Sequence, residues 1–255
     1  MKTIILAGGY GTRLAEYTIE VPKPLVQVGE KPILLHIMQH YSFFGHKDFV
    51  VALGYKGEKI KEYFVNFNNL NSDLRINLSS GEIEVLNANH SNLVISLIDT
   101  GLGSMTGGRI KRLEGFIDDD CFFMTYGDGL SSVDINKLKE FHFSHGKLVT
   151  MTAVRPSARF GELEIDGNLI TDFEEKPSLK QGWINGGFFV MNKKVFDYIS
   201  DDQTVFEREP LQNLAKDGEL MAYKHEGFWQ CMDTIKDKAL LEKHLETKAP
   251  WQLNR

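Results

Sequence analysis

The sequence predicts an α/β protein: a doubly wound, mostly parallel mixed sheet flanked by helices, with small antiparallel excursions. Three observations predict it. Residues 3–7, Thr-Ile-Ile-Leu-Ala, form a short β-branched apolar run that reads as a buried parallel strand. Up to residue 67 the chain then alternates helix-period and strand-period patterns, as consecutive strand–helix units do. A further apolar run, Cys121–Tyr126, ends in Gly127-Asp128-Gly129. An acid between glycines at the carboxyl end of a central strand stands where open α/β sheets hold their ligands.

The elements follow in order. Directly after the first strand come Gly8, Gly9 and Gly11, and then Arg13. A strand entering a glycine-rich turn lets backbone N–H groups approach an anion, because no Cβ intervenes. Arg13 adds a planar cationic fork suited to phosphate. The stretch reads as a cradle for a nucleoside triphosphate. A Walker A loop is excluded, since no lysine stands at the required spacing. A dinucleotide fingerprint is excluded too, because its third glycine position holds Leu14. Lys23 lies between Pro22 and Pro24, which restrict the backbone on both sides and suit a side chain that must point one way.

Lys31-Pro32 opens a helix whose apolar face is Ile33, Leu34, Ile37, Met38 and Tyr41, ending at Gly45. Asp48–Leu53 is the second strand, and residues 58–67 the next helix. Residues 68–99 are rich in Asn and Ser, with short alternating runs at 75–78, 83–86 and 93–98, and read as an inserted antiparallel excursion available for contacts between copies. A second glycine-rich loop, Thr100–Arg109, enters a helix and is a second candidate anion or base-edge site.

After the strand at 121–126, where Asp128 suits a hard cation bridging phosphates, a helix is expected at 134–145 and a strand at 149–154. Asp166-Gly167 turns a hairpin, and residues 188–191 form a further strand. Glu174-Glu175-Lys176 reads either as a solvated hairpin end or, with Asn185-Gly-Gly, as a holder for a polyhydroxyl ligand. Residues 193–200 and 204–217 read as helical, and 219–224 as a strand. A final helix runs to about 246, preceded by Asp233, which is either an N-cap with Thr234 or a second carboxylate meeting Asp128.

Composition bounds these readings. The chain has 255 residues, enough for one sizeable core, and the whole of 1–255 reads as a single domain. A net charge of −6 disfavours a nucleic-acid surface or an anionic membrane. Two cysteines, Cys121 and Cys231, both in apolar surroundings, support neither a disulfide framework nor a Cys-rich metal site. No run approaches the ~20 apolar residues of a membrane span. A soluble, cytoplasmic protein is expected.

The ordered set Leu6-Ala-Gly-Gly-Tyr-Gly-Thr-Arg13, Pro22-Lys23-Pro24, Gly127-Asp128, Phe160-Gly161-Glu162, Glu175-Lys176-Pro177, Asn185-Gly-Gly187 and the late Asp233 spans nearly the whole chain. It resembles the sugar-phosphate nucleotidyltransferases, whose fold is Rossmann-like. Ser104-Met-Thr-Gly-Gly-Arg109, Gly227-Phe-Trp-Gln230 and Met232-Asp-Thr234 are most similar to the branch that transfers cytidylyl groups. The resemblance implies CTP and glucose 1-phosphate as substrates, CDP-glucose and pyrophosphate as products, Mg2+ as cofactor, and a homo-oligomer, a hexamer in that branch. It implies that Leu6, Ala7, Gly8, Gly9, Tyr10, Gly11, Thr12, Arg13 and Lys23 surround the triphosphate. Ser104, Thr106 and Arg109 would lie near the nucleotide. Asp128 and Asp233 would hold the metal. Gly161, Glu175, Lys176 and Asn185 would bind the sugar phosphate. Lys23 and Arg13 would be catalytic. The alternatives are the same chemistry with dTTP or UTP or another hexose 1-phosphate, and a silent binding subunit on the same fold. A nicotinamide-dependent oxidoreductase is opposed by Leu14.

Overall fold

The computed structural model describes residues 1–87, 91–155, 162–166, 169–174 and 182–253, with the stretch 162–174 described by its backbone. From the amino end, β1 (Thr3–Ala7) passes through a 3-10 turn (Thr12–Leu14) into the short α1 (Ala15–Thr18). The paired β2 (Gln27–Val28) and β3 (Lys31–Pro32) deliver the chain to α2 (Ile33–Phe43). Next come β4 (Asp48–Leu53), α3 (Gly57–Val65) and α4 (Phe67–Leu70). The hairpin β5 (Asp73–Asn77) and β6 (Glu82–Leu86) precedes β7 (Val94–Asp99) and α5 (Thr106–Arg112). Then follow β8 (Cys121–Tyr126), β9 (Gly129–Ser131), α6 (Ile135–His145) and β10 (Val149–Val154). A second hairpin, β11 (Glu162–Asp166) and β12 (Leu169–Glu174), leads to β13 (Ile184–Asn192). The chain closes with α7 (Glu209–Lys216), β14 (Leu220–His225), β15 (Trp229–Cys231) and α8 (Ile235–Leu245).

The central sheet has the order β14-β10-β13-β8-β1-β4-β7. β1 pairs in parallel with both β4 and β8, β4 with β7, and β10 with β14, while β13 runs antiparallel to β8 and β10. The run Thr3–Ala7 is buried throughout because both faces of the sheet are covered. Ile5 and Ala7 face a core shared with Ile33 and Met38 of α2, Leu138 of α6 and Leu241 of α8. Ile4 and Leu6 face the opposite core, with Ile110 of α5 and Leu214 of α7. Helices on both faces make the sheet doubly wound. The strand order reverses at β1, since β4 and β7 lie to one side and β8 to the other. The carboxyl ends of β1 and β8 therefore form a switch point, which places the glycine-rich loop beside Gly127-Asp128.

The expected excursion at 68–99 is corrected here. The hairpin at 73–86 is an antiparallel pair apart from the main sheet, but Val94–Asp99 pairs in parallel with β4 and forms the sheet's edge. An edge strand is covered less than a central one, and the half-buried pattern of β7, with Val94 and Asp99 exposed at its ends, follows from that position. Among the described residues, no helix is long and apolar enough to cross a membrane.

Candidate functional site

Two adjoining clefts open over the switch point. The larger, of about 530 Å³, is walled by Leu6 to Arg13, Lys23, the 102–106 loop, Arg109, Tyr126 and Asp128. The smaller, of about 160 Å³, takes in Arg13, Tyr126, Asp128, Asn185, Trp229 and Asp233. Arg13, Tyr126 and Asp128 belong to both.

Two of the loop glycines are required by geometry. Gly11 has φ +64°, in the left-handed region that side chains disfavour. A Cβ on Gly8 would lie 2.4 Å from the Arg109 guanidinium. That guanidinium is pinned in turn: Nη1 donates to Leu53 O at 3.0 Å, Thr100 Oγ1 at 2.8 Å and Gly101 O at 2.8 Å, and Nη2 to Leu102 O at 3.4 Å. Arg109 is only 5% exposed. It therefore fixes the first and second glycine-rich loops against each other.

At the junction of the clefts, Lys23 Nζ donates to Asp128 Oδ2 and to Asp233 Oδ1, each at 2.6 Å. Lys23 is aimed by a short 3-10 turn, Lys23–Leu25, entered from the extended Pro22 and continued by the buried Pro24. Burial alone would lower the lysine's pKa. Attraction and hydrogen bonding from Asp128, then Asp233, outweigh it, so the pKa is raised and the ammonium persists. Asp233 is likewise disfavoured as an anion by burial, but Lys23 and then Arg13 hold its carboxyl below the ordinary carboxylate range. Arg13 Nη1 reaches Asp233 Oδ2 at 2.7 Å while most of its side chain stays exposed.

Asp233 is carried in by secondary structure. β15 pairs with β9, Met232 N donates to Asp128 O at 2.8 Å, and the next turn starts α8. Thr234 is the cap, with Asp237 reciprocating in a capping box, which leaves the Asp233 carboxylate to the cleft. The nearby Cys231 thiol is pushed up to about 12, by burial first and the Asp233 charge next, so it is not a thiolate nucleophile.

Ser104, Thr106 and Arg109 all line the larger cleft, as does every residue from Leu6 to Arg13. Ser104 Oγ donates to Thr100 O at 2.5 Å, which tightens the loop ahead of α5. Asn185 stands in the smaller cleft. Gly161, Glu175 and Lys176 lie outside the described residues. Two residues at or beside the site, Tyr126 and Glu207, were not singled out from the sequence, and Trp229 was quoted there only within a motif and given no place. Tyr126 lines both clefts, Trp229 Nε1 donates to Gly186 O at 2.7 Å, and Glu207 binds Tyr126. Tyr126 is the last residue of the strand that presents Asp128, so its position was a usable signal. Glu207 sits in a charged run that gave none.

The family model for nucleotidyl transferases matches residues 2–249. The chain belongs to the nucleotidyl transferase family. This nucleotidyl transferase is 50% identical over 254 residues to glucose-1-phosphate cytidylyltransferase of Salmonella typhi, covering 99% of each chain. It is 45% identical over 238 residues to a probable glucose-1-phosphate cytidylyltransferase of Bacillus subtilis (strain 168), covering 93% of each. In fold it is similar to the crystal structure of HddC from Yersinia pseudotuberculosis, with a TM-score of 0.71, 24% identity, and 96% and 99% of the two chains covered.

Proposed function

We propose that this nucleotidyl transferase makes CDP-glucose and pyrophosphate from CTP and α-D-glucose 1-phosphate. The observation that carries the chemistry is Lys23 held between Asp128 and Asp233 where the two clefts meet. The full-length likeness to two proteins named for the cytidylyl reaction supports the choice of substrates.

The reaction is an in-line displacement. A phosphate oxygen of the sugar phosphate forms a bond to the α-phosphorus of CTP. The bond from that phosphorus to the oxygen bridging to the β-phosphate breaks, and its electron pair leaves with pyrophosphate. The nucleophile is already an anion, so no strong general base is required. The obstacle is that two anions must meet, which makes positioning and charge the main terms. The backbone of Gly8, Gly9 and Gly11, with Thr12 and Arg13, cradles the triphosphate. Lys23 counters charge between the two reacting phosphates. Tyr10, Leu6 and Ala7 wall the cleft, and Ser104, Thr106 and Arg109 shape its nucleotide side. On the sugar side Asn185 offers an amide, and the resemblance to the family implies the same task for Gly161, Glu175 and Lys176.

The residues present fit a divalent cation. Two hard carboxylates direct one oxygen each to a single point, now taken by the lysine ammonium, and phosphate oxygens would complete such a shell. Asp128 and Asp233 would hold Mg2+, which when bound supplies Lewis-acid neutralisation of phosphate charge. Among the described residues no group of three metal-binding side chains exists. The chain would act as one domain and as a homo-oligomer, with the β5–β6 hairpin as a contact between copies.

The test is pyrophosphate release with glucose 1-phosphate and Mg2+, offering CTP, UTP, dTTP, ATP and GTP separately. Turnover with CTP alone is expected. Turnover with UTP or dTTP in its place would overturn the base assignment and keep the chemistry. No release with any nucleotide or hexose 1-phosphate would refute the reading.

A further inference from the structure

The proposed reaction brings two anions into adjoining clefts, and one line of side chains connects those clefts. Asn185 Nδ2, on the smaller cleft, donates to the Tyr126 hydroxyl at 3.3 Å. That hydroxyl donates to Glu207 Oε1 at 2.6 Å. The other oxygen of the same carboxylate, Oε2, accepts from Thr106 Oγ1 at 2.5 Å. Thr106 lines the larger cleft, and its Oγ1 accepts in turn from Phe206 N at 2.9 Å. Glu207 itself is not among the residues that wall either cleft.

The segment that carries Glu207 also grips the nucleotide-side loop through its backbone. Met105 N donates to Asp202 O at 2.8 Å and Gly107 N to Thr204 O at 2.9 Å. A Cβ on Gly108 would come within 2.4 Å of Asp202 O, so the two segments are in close contact. At the other end, the Tyr126 ring meets Phe189 edge-on, with centroids 6.1 Å apart. Thr106 and Tyr126 thus share one carboxylate, and Asn185 reaches the Tyr126 hydroxyl from the opposite side.

We infer that Glu207 is a positioning residue that couples the two clefts: by holding Thr106 and Tyr126 on one carboxylate, it makes the ordering of either cleft favour the other. The nucleoside triphosphate and the hexose 1-phosphate then tighten each other's binding by the same factor, as linkage requires. The inference rests on the function proposed above.

Calorimetry tests it, with α,β-methylene-CTP as an unreactive nucleotide, Mg2+, and glucose 1-phosphate either absent or saturating. An initial-velocity matrix with CTP itself gives a second measure of the same ratio. In the wild-type chain the sugar phosphate is expected to tighten the nucleotide about 5–10-fold, within the usual range for coupled sites. Glu207→Ala and Tyr126→Phe are each expected to bring that ratio to within about 2-fold of unity. Glu207→Gln, which keeps a hydrogen-bonding group at both ends, is expected to restore most of it. A purely structural role would lower Tm and leave the ratio alone. A ratio that is undiminished in Glu207→Ala, or missing from the wild-type chain, overturns the inference and leaves the proposed function standing. A wild-type chain that neither binds the analogue nor releases pyrophosphate from CTP overturns that function and this coupling together.

Discussion

Lys23 lies in a short 3-10 turn outside the strands and both hydrophobic cores, and two acids converge on it. Replacing it leaves the strands and their cores intact while removing the charge that meets both phosphates. Lys23→Ala is expected to lower kcat/KM about 10²–10³-fold, the usual cost of losing one preorganised electrostatic contact, with Tm changed by only a few degrees. Near-normal turnover would refute its assignment. Gly8 works at the same scale through absence of bulk. A methyl group there would push against the Arg109 guanidinium, which four oxygens hold in place. Gly8→Ala is expected to raise the KM for nucleotide about 10–100-fold, as displacements near 1 Å do, with an unchanged circular dichroism spectrum. The sequence made Lys23 legible because two prolines isolate it, and Asp128 because glycines flank a carboxylate at a strand end. It did not reveal that Arg109 would be spent on binding backbone carbonyls, since that requires the 53 and 100–102 segments to converge. Nor did it reveal Glu207, whose partners lie about 80 and 100 residues away.

At the scale of elements, α6 is tied to β10 by a buried histidine. His142 Nδ1 lies 2.9 Å from Thr150 Oγ1, and His145 Nε2 lies 2.8 Å from the same oxygen. His142 is 3% exposed, and burial, then the neighbouring His145, lowers its pKa to about 4. In the unfolded chain it titrates near the ordinary ~6.5. As pH falls below that value the unfolded state takes the proton first, so stability is lost between about pH 6.5 and the folded-state value near 4. His142→Gln, compared by urea unfolding at pH 7 and 4.5, is expected to lose about 1–3 kcal/mol less than the wild-type chain over that interval. An identical pH slope in both chains would remove His142 from the account. The elements themselves were largely legible: the predicted bounds for β4, β8 and β10 agree with the structure residue for residue. Two strands were harder. β7 follows a polar Asn/Ser stretch and alternates, so it resembled an excursion, whereas its partner β4 is buried and continuous. β13 begins at Ile184, ahead of the Asn185-Gly-Gly run and four residues before the expected strand at 188–191, and its pairing with β10 is interrupted between Met151 and Ala153. Its antiparallel direction is set by the neighbours it joins, and no local pattern encodes that.

For the molecule as a whole, the hairpin β5–β6 stands apart from the main sheet and presents apolar side chains on one face. Ile76 pairs with Ile83 across the strands, each 52% exposed, beside the Leu74–Val85 pair. A lone two-stranded pair is marginal in water, so a covering surface is expected for it. Ile76→Lys combined with Ile83→Lys is expected to reduce the sedimenting mass while the isolated chain keeps its secondary structure. An unchanged assembly would exclude the hairpin as a contact. The reversed direction of β13 has a separate consequence. Val154, where β10 ends, is the register partner of Ile184, where β13 begins. The chain thus leaves the sheet and rejoins it at adjoining positions, so the two ends of the intervening stretch are fixed by β10 and β13. Exchange of that stretch for a relative's is expected to keep the β10–β13 register, which circular dichroism and thermal unfolding of the chimera would check. On the function proposed here, such an exchange would alter the preference for the acceptor sugar while Lys23 stays between its two acids.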